Sequence, residues 1–596
     1  MKHFFISLLA SIVGGFLLLF LLFFMLFAIG SASSSSKPPT VEAGTYLELD
    51  LNAAGIVDRS MDDPFSEFSA AFGSPGVLGL NAILQSIEKA QNDPNISGIF
   101  LNLGFFAGGN ATALEIKQAL EQFKAESGKP VYAYGTMASQ KSYFIASVAD
   151  SIFFNPEGFL DWRGNAISVT YYKGMLDKLG VQVEAIRGSN NRFKSAVEPF
   201  IEEKMSAANR EQLQLLGGDI WEEMLSGISK SRGLSTEKLQ SMADSLSATR
   251  AKQAINQGFF HSLMHDDEWL AFQSKKTGSS KITEPKIIDL ADYRKVATGA
   301  KSDRKGFKAD KIAVLYAQGE FTEGDDAYIV DEATMLEALQ SIREDDKIKA
   351  LVLRVNSPGG QALIADKMFR ELELIREKNI PIVVSMGDVA ASAGYMISVV
   401  GDTVLASPNT VTGSIGVFGM LFNASDLLEN KLGLHTEHVT TAAHSNLGSP
   451  DKPLDAFERK WLQSQIDSYY GHFVNRVASH RKLDSLFVDS IAQGRVWSGK
   501  QALKLGLIDG FGGLNQSISA AAKMAGLETN AYRLSEFPKQ KDPFEQVLKM
   551  FQTKVLTPKV NVFKNTPMEK AATHFHQIQK QHGKALMRLE HDIEVH

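Results

Sequence analysis

The stretch Lys349-Ala-Leu-Val-Leu-Arg-Val-Asn-Ser-Pro-Gly-Gly360 decides the fold. Its apolar run, closed by Pro and Gly, reads as a buried strand entering a glycine-rich turn. About twenty residues on, Pro381-Ile-Val-Val-Ser-Met-Gly387 reads as a second buried strand. Asp388-Val-Ala-Ala-Ser-Ala-Gly-Tyr-Met-Ile-Ser398 follows it as a turn and the start of a helix. The amino-terminal half repeats this plan with Gly98-Ile-Phe-Leu-Asn-Leu-Gly104, Gly108-Gly109, Pro130-Val-Tyr-Ala-Tyr-Gly-Thr136 and Gln140-Lys-Ser-Tyr-Phe-Ile-Ala-Ser147. At an offset of 251 or 252, Gly108 answers Gly359 and Tyr143 answers Tyr395, whereas Ser392 faces Gln140 or Lys141. A duplicated fold with a reactive hydroxyl in one copy only predicts a site that draws on both halves.

The chain has 596 residues, 44% hydrophobic and 22% charged, an ordinary globular composition with room for two large units. A net charge of -6 gives no electrostatic reason to expect nucleic acid as a partner. The absence of cysteine excludes disulfides, thiolate metal sites and a cysteine nucleophile. Phe4 to Ile29 carries no charge and is dominated by Leu and Phe. As a helix it is roughly 39 Å long, enough to cross a bilayer core of about 30 Å, and it exceeds the apolar core of a signal peptide. The expected organisation is therefore a transmembrane anchor over 4–29 and a flexible linker over 30–44. An amino-terminal repeat covers 45–295, a basic linker 296–310, a carboxyl-terminal repeat 311–535 and a polar tail 536–596. Strands alternate with helical stretches such as Ile364 to Lys378 and Pro453 to Val477, so both repeats are expected to be α/β. The tail's five histidines, among them His574 and His576, read as solvated side chains rather than a metal site.

Ser392 stands where a buried strand passes into a helix, and the unpaired amides of a helix start favour negative charge on a nearby oxygen. Ala391, Ala393 and Gly394 leave room for a peptide to approach. An oxyanion hole is expected from the Gly359-Gly360 turn and the amide of Ala393. A serine nucleophile needs a base, and no histidine stands out. Lys194, in Asn191-Arg-Phe-Lys-Ser-Ala-Val-Glu-Pro-Phe200, is flanked by small and apolar residues. Burial lowers a lysine pKa and turns it into a usable base.

Phe193-Lys-Ser-Ala-Val-Glu-Pro-Phe200, Asn356-Ser-Pro-Gly-Gly360, Ala390-Ala-Ser-Ala-Gly-Tyr395 and Thr412-Gly-Ser-Ile-Gly416 together resemble the signal peptide peptidase A, or protease IV, family in its long, tandem-repeat form. The likeness covers roughly residues 45–530. It implies two crotonase/Clp-protease-like repeats of β-β-α units, with Ser392 as nucleophile, Lys194 as general base and Ser414 orienting the lysine. It also implies a Ser/Lys endopeptidase that needs no cofactor or metal. Such an enzyme acts on signal peptides and other extended apolar peptides, assembles as a homo-tetramer, and is held to the bacterial inner membrane lipid with its body on the periplasmic side. Two features depart from the family: Ala393 replaces a usual glycine and Phe193 a common tyrosine. A positive φ at Ala393 would cost about 1 kcal/mol. The competing readings are an inactive scaffold of the same fold in membrane-protein quality control and a thioester enzyme acting on acyl-coenzyme A.

Overall fold

The computed structural model describes residues 39–52, 55–60, 77–296, 309–324, 326, 328–528 and 531–540, with Gly14, Gly15 and the backbone of Ala585–Arg588. All of the anchor expected over 4–29 except Gly14 and Gly15, and most of the linker 296–310 and tail 536–596, lie outside these residues. Among the described residues no helix is long and apolar enough to cross a membrane.

Each half of the chain builds a parallel sheet in the same spatial order. In the first the strands run Ser262–Leu263, Ser151–Asp161, Val131–Ser139, Ile96–Asn102, Thr45–Asp50 and Ile287–Asp289. In the second the matching strands run Gly510–Phe511, Thr403–Ala406, Ile382–Ala391, Ile348–Ser357, Lys311–Gln318 and Arg533–Phe537. A side branch adds Val411–Gly413 beside Ile382–Ala391, with Val496–Ser498 antiparallel to Val411–Gly413. The central strands of the second sheet carry apolar runs, Ala350–Leu353 and Ile382–Val384, buried between covering helices. The helix expected from Ile364 spans Ala362–Glu377, and that expected from Pro453 spans Ala456–Arg481. The repeats also share small devices: Tyr143 Oη donates to the Phe259 carbonyl and Tyr395 Oη to the Leu507 carbonyl, both at 2.9 Å. The second sheet runs to Phe537, two residues past the expected boundary at 535. Glu536 looked like the start of a solvated tail but bonds Arg59 and Asn81 of the first repeat.

The two repeats interlock through buried polar contacts as well as a shared apolar core. Val314, Val352 and Val383 of the second sheet cluster with Leu84, Leu114 and Phe123 of the first repeat. Arg354, fully buried in the strand Ile348–Ser357, reaches Asp58 Oδ1 at 2.6 Å and Glu115 Oε1 at 2.8 Å across the boundary. Asp388 caps a helix in the other repeat. Its Oδ1 accepts from the amides of Ala111 and Thr112 at 2.8 and 3.0 Å, and its Oδ2 from the Thr112 hydroxyl at 2.5 Å. The helix Asn110–Ser127 has no capping side chain of its own, because Gly109 precedes it. A Cβ at Gly109 would lie 2.2 Å from the Asp388 carboxyl, which is why this position is glycine. Asp388→Ala is expected to lose roughly 1–2 kcal/mol, the worth of a strong helix cap, read as a lower urea midpoint.

Candidate active site

Ser392 ends the strand Ile382–Ala391 and precedes the helix Ala393–Ser398. Its backbone lies at φ 56° and ψ -114°, a conformation that costs a non-glycine residue of order 1–3 kcal/mol. Flanking bonds hold it there: the Ser392 amide donates to the Gly413 carbonyl at 2.9 Å, and its carbonyl accepts from Met396 at 2.8 Å. The strain expected at Ala393 therefore falls on Ser392 itself, because the turn between strand and helix is made at the serine.

Lys194 reaches this serine from the other repeat. The strand Gln182–Arg187 leaves the first repeat and pairs antiparallel with Phe418–Asn423 of the second. The chain then turns inward, and the Phe193 amide donates to the Gln493 carbonyl at 2.9 Å. Lys194 follows, 1% exposed, just before a short 3-10 turn over Ser195–Val197. Its Nζ lies 2.9 Å from Ser392 Oγ, 2.9 Å from Ser414 Oγ and 3.2 Å from the Ser414 carbonyl. Those three partners are all uncharged. Ser414 itself has φ 50°, and its amide donates to the Arg495 carbonyl at 2.7 Å. Among the described residues no histidine is hydrogen-bonded to Ser392.

The glycine turn lies beside the serine. Gly394 packs so closely on Ser357 that a Cβ there would lie 3.0 Å from its carbonyl oxygen. Gly359 has φ 105° and Gly360 φ 148°, conformations open to glycine. A Cβ on Gly360 would lie 2.3 Å from the Phe321 carbonyl oxygen. The Gly359 amide donates to Ser357 Oγ at 3.1 Å. Ala393 opens its helix, so its amide belongs to the first turn, which lacks intrahelical acceptors. Ser392, Lys194, Ser414, Gly359, Gly360 and Ala393 thus lie in one neighbourhood.

Three further residues shape it and carry no signal in the sequence. Gln212 looks like one polar position among many in Arg210-Glu-Gln-Leu-Gln214, yet it is buried. It donates to the Phe193 carbonyl and Ser195 Oγ at 3.2 and 3.1 Å and accepts from the Val496 amide at 3.2 Å, tying both sides of Lys194 to the second repeat. The Arg495 guanidinium stacks over Phe193 and Trp497, each at 4.4 Å. Gly494, at φ 78°, lets the lysine stem pass: a Cβ there would lie 2.4 Å from Lys194 Cβ. Gly494→Ala is expected to shift the amine from Ser392 and lower peptide-cleaving activity at least about tenfold, a barrier increase of about 1.4 kcal/mol. A steady-state assay beside a thermal melt separates this loss from unfolding.

The comparisons with known proteins put the chain in a class, the serine-type endopeptidases. The model of peptidase family S49 matches residues 123–277 and 375–528, once in each repeat. Protease 4 of Salmonella typhi is 36% identical over 456 residues, covering 75% of this chain and 72% of that protein. Protease 4 of Haemophilus influenzae is 31% identical, covering 83% and 81%. The chloroplastic serine protease SPPA of Arabidopsis thaliana is 29% identical, covering 76% and 67%. The chain belongs to peptidase family S49.

Proposed function

We propose that this protein is a membrane-anchored endopeptidase that degrades cleaved signal peptides and other extended apolar peptides through a Ser392/Lys194 dyad. The observation that carries this reading is the 2.9 Å contact between Lys194 Nζ and Ser392 Oγ, made across the two repeats. Burial disfavours the charged form of an amine, so a lysine among uncharged oxygens is suited to accept a proton. Neutral Lys194 takes the hydroxyl proton as Ser392 Oγ attacks the peptide carbonyl. The amides of Ala393 and the Gly359-Gly360 turn stabilise the oxyanion. The resulting ammonium donates its proton to the leaving amine, and water then hydrolyses the ester by the same base. Ser414 keeps the amine aimed at Ser392 throughout.

The apolar span over 4–29 tethers the body to the bacterial inner membrane, on the periplasmic side, and four chains assemble around a common interior. Peptides left in the bilayer after secretion are the substrates that such a placement favours. The test is hydrolysis of an apolar fluorogenic peptide by the full chain in detergent. Ser392→Ala is expected to abolish turnover without changing the thermal midpoint by more than a few degrees. Retained turnover in that variant refutes the reading.

A further inference from the structure

Six cations line one cavity at the seam of the two repeats, and none of them belongs to the active site. Arg59 and Arg294 of the first repeat and Lys311, Lys347, Arg533 and Lys539 of the second surround a space of about 660 Å³. Among the described residues of that lining, Glu536 is the only acid. It is already engaged: its Oε2 lies 3.2 Å from Arg59 Nε, and its Oε1 accepts from Asn81 Nδ2 at 2.9 Å. Lys311 also meets Asp345 at 2.7 Å, behind the lining. The basic stretch read from the sequence as a linker begins and ends here, with Arg294 just before it and Ala309 at its far end, both in the lining. Its own sequence sets Lys301, Arg304, Lys305 and Lys308 against Asp303, so it brings no excess of acid to this side.

The walls are ordered parts of both repeats. Arg59 is 9% exposed, and its Nη1 donates to the Pro538 carbonyl at 2.8 Å while the guanidinium lies 5.6 Å from the centre of the Tyr316 ring. Lys539 Nζ donates to Ser535 Oγ at 2.9 Å and lies 4.3 Å over the Phe537 ring. Burial lowers the pKa of the Lys539 amine from its ordinary value, and the charges of Arg59 and Lys311 lower it further, against the pull of Glu536 and Asp345. A cleft lined by one sign of charge focuses its field on whatever enters. An anion seated here relieves the repulsion between cations that the fold holds together.

We propose that this cavity binds a compact phosphate compound carrying two or more negative charges. Phosphate concentrates more charge in one group than carboxylate does. Three of the six cations are arginines, whose planar forks take two phosphate oxygens at once. The volume falls within the roughly 300–1,000 Å³ of small-ligand pockets. A free oligophosphate and the phosphate headgroup of an anionic lipid offer this same chemistry. A ligand that meets Arg59 on one side and Lys311 and Lys539 on the other bridges the two repeats. Binding of that kind stabilises the folded pairing by mass action.

The experiment titrates the full chain, in a non-ionic detergent at fixed ionic strength, with sodium tripolyphosphate by calorimetry, and melts the same samples. A second arm adds phosphatidylglycerol or phosphatidylcholine to the micelles and counts retained lipid by native mass spectrometry. The expected result is one tripolyphosphate per chain with a raised thermal midpoint, or one phosphatidylglycerol retained where phosphatidylcholine is not. Arg294→Glu combined with Lys539→Glu, both at exposed positions, is expected to weaken that binding at least about tenfold. Turnover of the fluorogenic peptide and the ligand-free midpoint are expected to stay near wild type. Should the double variant fail to fold, Arg294→Gln and Lys539→Gln alone are each expected to weaken binding at least about threefold. Tripolyphosphate binding that the variant loses assigns a soluble ligand, and phosphatidylglycerol binding that it loses assigns a headgroup; either supports the site. Wild type that binds neither probe overturns it, as does a folded variant that binds as tightly as wild type. Citrate bound as tightly as tripolyphosphate overturns the assignment to phosphate.

Discussion

Lys194→Ala is expected to lower kcat/KM for an apolar fluorogenic peptide by roughly 10²–10⁴-fold, the loss that follows if the proposed general base is removed. Lys194→Arg falls as far, because a guanidinium keeps its proton and cannot accept another. That pair of variants separates a base from a mere positive charge. The pH profile carries the same sign: the base works deprotonated, so kcat/KM rises with pH until Lys194 is neutral and then levels. Ser414→Ala removes one of the hydrogen bonds on the amine, at 2.9 Å, and leaves the carbonyl contact at 3.2 Å. A loss of roughly 3–10-fold follows from the worth of one hydrogen bond. Lys194→Arg with near wild-type kcat/KM would show that some other group takes the proton.

The second large effect concerns stability. Arg354→Met leaves Asp58 and Glu115 in a buried site from which their shared guanidinium is gone. Removing one partner of a buried ion pair costs about 3–5 kcal/mol. The loss is expected in urea unfolding followed by tryptophan fluorescence, and a change under 1 kcal/mol would contradict it. Two carboxylates share one guanidinium here, and burial pushes the Glu115 carboxyl above its usual range against the pull of Arg354. A folded pKa above the unfolded value of about 4.3 means that the folded state binds more protons. This contribution is complete below about pH 4.3 and is lost as pH rises through the folded value. Glu115→Gln is expected to flatten that part of the stability profile.

How much of this was legible in the sequence differs from element to element. Central stretches such as Ala350–Leu353 are apolar on both faces and announce a parallel sheet. Tyr143 and Tyr395 kept their spacing because each closes the same hydrogen bond to a backbone carbonyl. Ser392, Lys194, Ser414 and the Gly359-Gly360 turn were all readable, but through family-like motifs rather than through periodicity. What composition hides is contact between distant segments. Gln212 sits in a run of polar residues, and Gly494 resembles any loop glycine until the lysine stem is threaded past it. Asp388 read as part of a turn, and only the packing of two repeats reveals it as the cap of a helix almost three hundred residues earlier. Tail residues 585–588 have too short an apolar run to predict a strand; their place depends on the body strands Gly359–Gln361 and Phe418–Asn423, with which they pair.

The central claim is that one repeat supplies the base and the other the nucleophile. Its most direct test is the rate and position of labelling by a serine-directed fluorophosphonate, mapped by peptide mass spectrometry in wild type and Lys194→Ala. The account predicts one modified residue, Ser392, with labelling slowed at least a hundredfold in Lys194→Ala. Equal labelling rates in the two proteins, or a label on another serine, would contradict it.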